Sequence, residues 1–194
     1  MSEILGVLFK YLLAMLAIVA VVAILYEALG SSNTSTAVSD VSQIQANVYQ
    51  LYSATPNSTS AITASTAGAI GAGVIPSGMK SSASSGSGAN ILDPWGGTVT
   101  VQAPTGLSST ATAVLALTFP SVPLGACAKL AVGAAKSGVA VEVGSTPVYP
   151  TDPNLASDAA VACAAVKTST TPMIFNFYPS SGASNAAYVG STGN

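Results

Sequence analysis

The stretch from Ile4 to Tyr26 is apolar on every face of a helix and carries Lys10 as its only charge. At about 1.5 Å per residue, a helix of that length reaches roughly 34 Å, against a bilayer hydrocarbon core of about 30 Å. It holds no proline and one glycine, Gly6. A helix with no polar side has to be covered all round, so this one belongs in lipid or inside a protein bundle. A cleaved signal peptide fits poorly, because Met1-Ser2-Glu3 is acidic where a basic segment is expected and the apolar run is too long. The sequence reads instead as an uncleaved anchor, or as a chain already trimmed to its mature terminus.

Helical spacing survives past this run. Gly30-Ser31-Ser32-Asn33 is a weak point where a kink or local loosening is expected, and then Val38, Val41, Ile44, Val48 and Leu51 recur at helical intervals between polar neighbours. One helix with two halves is predicted over 1–54: an apolar half, 1–30, and an amphipathic half, 31–54, able to lie on a globular body. Thr55-Pro56 ends it near Ala54. The remainder, 55–194, is long enough for one head domain.

Within the head, a short helix is predicted over Ala61–Ala72, a turn at Ile75–Gly78 and an exposed Ser/Gly loop over Lys80–Asn90. Strands follow at Gly97–Ala103 and Ala111–Phe119, joined to what precedes by the Asp93-Pro94-Trp95-Gly96 turn. A helix over Gly125–Ser137 leads to a strand at Gly138–Gly144 and a proline-punctuated loop at Val148–Pro153. A helix over Ser157–Val166 and a last strand, Pro172–Tyr178, with Met173, Phe175 and Phe177 on one face, complete an α+β order.

Composition narrows the chemistry. Charged residues make up 6% of the chain, histidine is absent and the net charge is −2. Without histidine there is no conventional Ser-His-Asp or Cys-His set, and the scattered carboxylates lack the spacing of metal ligands. Gly71-Ala72-Gly73 falls short of a dinucleotide fingerprint, and so few cations make no groove for nucleic acid. No enzyme, cofactor or metal is expected. Cys127 and Cys163 fit one disulfide in an oxidising compartment, with two buried free thiols as the alternative.

The apolar half offers its own candidates. Glu3 and Lys10 fall on one helix face about 10 Å apart along the axis, too far to pair within a chain. Two parallel copies staggered by that distance would bring Glu3 of one to Lys10 of the next. Alternatively, Glu3 only complements the helix dipole and Lys10 snorkels to the interface. Ala14 and Ala17, continued by Ala20 and Ala23, form a small-residue stripe that permits close helix approach, or is ordinary membrane-helix composition.

A long helix, apolar then amphipathic, followed by a head with two cysteines in its later half, resembles a type IV pilin. The run from Ser39 to Gln45 leading to Leu51-Tyr52, then Gly73–Met79, then Asp93–Val101, the cysteine pair and the closing strand at Met173–Phe177 are similar to the PilS-like type IVb pilins. The resemblance implies an α+β pilin fold, with the helix packed on an antiparallel sheet and one C-terminal disulfide. It further implies a major pilin that self-assembles into an extracellular filament for conjugation, adhesion or motility, after waiting in inner-membrane lipid. Its partners would be copies of itself, a prepilin peptidase and the assembly machinery. The N-terminal residue would be methylated; that is Met1 if the chain begins at its mature end, whereas cleavage after Gly6 would make Val7 first and discard Glu3. Such pilins usually carry glutamate at the fifth mature position, where this chain has Leu5. A minor pilin or pseudopilin of the same machinery, and a monomeric membrane-anchored binding module, are the competing readings.

Overall fold

The computed structural model describes residues 2–54, 62, 65–81, 89–103 and 114–179; along the first helix it describes side chains for 10–13, 15, 16, 18 and 30–54. That helix, α1, runs from Ser2 to Ala54. It passes through Gly30–Asn33 without interruption, so the expected weak point does not break it. Local hydroxyls bond back along the helix there: Thr34 Oγ1 donates to the Gly30 carbonyl at 2.8 Å and Thr36 Oγ1 to that of Ser32 at 3.1 Å. Thr34 and Thr36 thereby place their hydroxyls on carbonyls of the weak segment, a local back-bond that the continuous helix accommodates.

After α1 come a short helix α2 (Thr66–Gly71), a 3₁₀ turn (Ser77–Met79), and strands β1 (Ile91–Leu92), β2 (Thr98–Gln102) and β3 (Leu115–Pro123). Helix α3 (Leu124–Lys136), strands β4 (Ala140–Val143) and β5 (Thr146–Val148), helix α4 (Leu155–Ala164) and strand β6 (Thr170–Phe177) follow. The strands form one antiparallel sheet in the order β1-β2-β3-β6-β4-β5. The last strand in sequence is thus inserted at the centre.

Period-two alternation gives the sheet its buried face. Across β3 and β6, Leu115 faces Phe177, Leu117 faces Phe175 and Phe119 faces Met173, all fully buried. Phe119 and Phe175 meet edge to face with centroids 4.8 Å apart. Val141 and Val143 of β4 extend the row on the other side of β6. These side chains share one buried cluster with Ala37, Val41, Ile44 and Val48 of α1, which realises the amphipathic stripe read from the sequence.

Several boundaries move. The strand expected at Ala111–Phe119 is β3, Leu115–Pro123, running on past Pro120 because a register shift between Phe119 and Val122 leaves Pro120 and Ser121 exposed; 111–113 lie outside the described residues. A bulge accommodates a proline that would otherwise stop the ladder. β4 is shorter than Gly138–Gly144, since Val139 N–H bonds back to Ala134 O as part of the α3 terminus. The loop expected from Val148 starts one residue late, because Val148 closes the small strand β5 against Val141. The helix expected over Ala61–Ala72 shrinks to α2, whose first turn is capped by Ser65 Oγ accepting from Gly68 N–H at 3.1 Å. The helices expected at Gly125–Ser137 and Ser157–Val166 are α3 and α4, displaced by one or two residues. Most of the Lys80–Asn90 loop, 82–88, and the tail from 180 onward lie outside the described residues.

The Asp93-Pro94-Trp95-Gly96-Gly97 turn is the hairpin between β1 and β2. Asp93 Oδ1 accepts from the N–H groups of Trp95 (2.9 Å) and Gly97 (2.8 Å). A Cβ on Gly97 would lie 2.6 Å from Asp93 Oδ2 and 3.1 Å from Pro120 Cγ, so no larger residue fits.

Candidate assembly surface

The two halves of α1 present different surfaces. In the first, Lys10, Tyr11, Leu12, Leu13, Met15, Leu16 and Ile18 are all exposed, with the large apolar ones between 53% and 73% accessible. At 100° per residue these positions point in every direction, so apolar surface surrounds the helix. Covering the six large apolar side chains is worth on the order of 10 kcal/mol. Among the described residues no helix is long and apolar enough to cross a membrane, and most side chains between Ile4 and Tyr26 lie outside that description.

Lys10 is exposed, whereas the side chains of Glu3, Ala14 and Ala17 fall outside the described set, as does Met1 altogether. Cys127 and Cys163 do meet, in a disulfide with Cα atoms 6.0 Å apart, which ties α3 to α4. For a closed loop of this length, such a bond stabilises by about 4 kcal/mol in the chain-entropy model.

The second half of α1 is docked. Ala37, Val41, Ile44 and Val48 have no exposed surface. Gly133 of α3 makes the approach possible: a Cβ there would sit 2.7 and 2.8 Å from the two γ-methyls of Val38. Polar contacts set the register. Ser42 Oγ and Ser137 Oγ are 2.7 Å apart, buried Gln45 donates through Nε2 to Tyr178 O at 2.9 Å, and Asn47 Nδ2 donates to Val74 O at 3.1 Å. Sequence reading missed these residues; Gly133, in the middle of the alanine-rich α3, was the available signal, since a helix tolerates glycine where another element comes close.

Burial also perturbs titration here. Desolvation, with a smaller contribution from nearby Tyr149, pushes the Tyr178 hydroxyl up to about 12. Desolvation likewise raises the Asp40 carboxyl above its ordinary value. Among the described residues no group of three His, Cys, Asp or Glu side chains is placed to hold a metal ion.

A long helix whose lower half is bare and whose upper half rests on a disulfide-braced antiparallel head is the fold of a type IV pilin. A solved type IVb pilin from Salmonella typhi superposes with a TM-score of 0.52 at 20% identity, over 74% of this chain and 99% of that one. The PilS N-terminal family model matches residues 31–176, so the chain belongs to the PilS family and is a type IVb pilin subunit. No curated protein matches it. Family membership implies self-assembly into an extracellular pilus, and pilins are a structural family rather than one of enzymes.

Proposed function

We propose that this chain is the major subunit of a type IVb pilus, with residues 1–30 forming the filament core and 55–194 facing the medium. The observation that carries the reading is the bare apolar surface of Tyr11, Leu12, Leu13, Met15, Leu16 and Ile18 on a helix whose other half buries its apolar stripe against the head. Before assembly that surface, with the rest of Ile4–Tyr26, sits in inner-membrane lipid; afterwards it sits against sister helices. The small residues Ala14 and Ala17 allow close approach, and parallel copies offset by about 10 Å pair Glu3 with Lys10. A prepilin peptidase and a pilus assembly machine act on the chain, and its mature N-terminal residue is methylated. The filament serves conjugation, adhesion or motility.

Electron microscopy of sheared surface fibres, combined with the intact mass of their subunit, tests this. Fibres made mainly of this chain are expected. Fibres in which it is a trace component would make it a minor pilin, and a chain found only as lipid-coated monomers would make it an anchored binding module. Lys10→Glu is expected to block assembly while the head stays folded; filaments of normal yield would remove the Glu3–Lys10 pairing.

A further inference from the structure

Where α1 leaves the head, it and α3 bound a groove of about 590 Å³. Val38, Ala128 and Val132 supply its apolar lining, and Lys129 and Lys136, both exposed, stand beside it on α3. Among the described residues neither lysine has a carboxylate within ion-pair distance. A second feature close by is also unexplained by the chain's own packing. Gly30 sits in the middle of α1, where glycine is the poorest helix former after proline, yet a Cβ placed on it would meet no atom within 4 Å.

We propose that the groove receives α1 of a second copy, raised by seven residues along the axis, so that the second copy's Glu27 pairs with Lys129 and its Gly30 lies against Val132. The proposal rests on the filament-subunit reading given above and fixes one contact within it. Its register comes from the docked half of α1. Gly133 packs on Val38 and Ser137 on Ser42, so α1 and α3 run in the same direction; Lys129 lies level with Thr34, and Val132 with Ala37. A parallel copy raised by seven residues, about 10 Å, sets its Glu27 level with Thr34 and its Gly30 level with Ala37. Two positions three apart on one helix face thereby meet two positions three apart on the other. A carboxylate stands opposite an unpaired ammonium group, and a residue without a side chain stands opposite a valine. Between Lys10 and Asp40, Glu27 is the only carboxylate on α1. The same offset pairs Glu3 with Lys10, so both acidic residues of the lower helix find a cation in one register. Positions 3 and 27 lie on different sides of α1, which suits a helix seated between a neighbour's α1 and its α3.

The test expresses the full-length chain and its variants in cells that assemble the filament, measures the subunit in sheared fibres, and follows the fold of each head by Trp95 fluorescence. E27K and K129E should each lower fibre yield by about tenfold, and E27K/K129E should return it to within about twofold of the unmodified chain. G30L, whose new Cβ meets nothing in its own chain, should leave the head folded and lower the yield by about tenfold. Normal yield in K129E or G30L would overturn the contact. A loss in K129E that E27K does not relieve would also overturn it and give the groove to a different partner. Recovery of E27K by K136E in place of K129E would overturn the seven-residue register, since Lys136 lies about 10 Å further along α3. Fibres of the unmodified chain in which it is only a trace component would bring down the major-subunit reading itself, and the contact with it.

Discussion

Ile18 and Ile44 are the same residue on the same helix, yet Ile18 leaves 64% of its surface exposed and Ile44 leaves none. Propensity does not distinguish them. What differs is the pattern around each: Ile44 belongs to a stripe with polar neighbours, which selects one face for the head, whereas Ile18 sits in a run with no preferred face. The first arrangement builds one chain. The second is satisfied only by surroundings that are apolar on all sides.

Truncating each isoleucine tests that contrast most directly. Ile44→Ala is expected to destabilise the head by about 4 kcal/mol, read from denaturant unfolding followed by the fluorescence of Trp95, the chain's one tryptophan. Ile18→Ala should move the same transition by less than about 0.5 kcal/mol while lowering filament yield. Equal effects on head stability would erase the difference between the halves. Replacing Cys127 and Cys163 together by serine should cost about 3–4 kcal/mol, because α3, the platform under the docked half, loses its tie to α4. Gly133→Ala should cost about 2 kcal/mol despite alanine's better helix propensity, since the new methyl meets Val38. Adding Val38→Ala should recover most of that loss; no recovery would place the strain elsewhere.

Two smaller effects concern ionisation in the packed half. Tyr178 keeps its proton in the fold up to about pH 12, while an unfolded tyrosine loses it near 10, so the unfolded state is favoured as pH rises above 10. Tyr178→Phe should flatten that alkaline decline. The Asp40 carboxyl is raised by burial, so its stability cost is absent below the ordinary value of 3.8 and grows as pH rises through the raised one. Asp40→Asn should therefore be slightly more stable than the unmodified chain at neutral pH and equal to it at pH 3. A difference persisting at pH 3 would mean the effect is not one of charge.

Much of the fold was legible because its signals are local. The stripe through Val38, Val41, Ile44 and Val48 and the alternation in Met173, Phe175 and Phe177 each point to one buried face, and the structure buries both. Pairing was less visible. β1 and β5 are too short to show a period and exist only because Val99 and Val141 lie beside them. β3 crosses Pro120 by a bulge that no local rule announces. The contacts of Gly133, Gln45 and Ser137 join parts of the chain far apart in sequence, so only the docked helix reveals them. The disulfide was readable as a possibility from two cysteines, and the structure removes the free-thiol alternative.

Both margins of the sheet are stubs, two residues in β1 and three in β5, with Pro147 in the middle of the latter. A foreign main chain laid along either finds too few partners to stay. Many heads can therefore be crowded together without zipping into cross-β deposits.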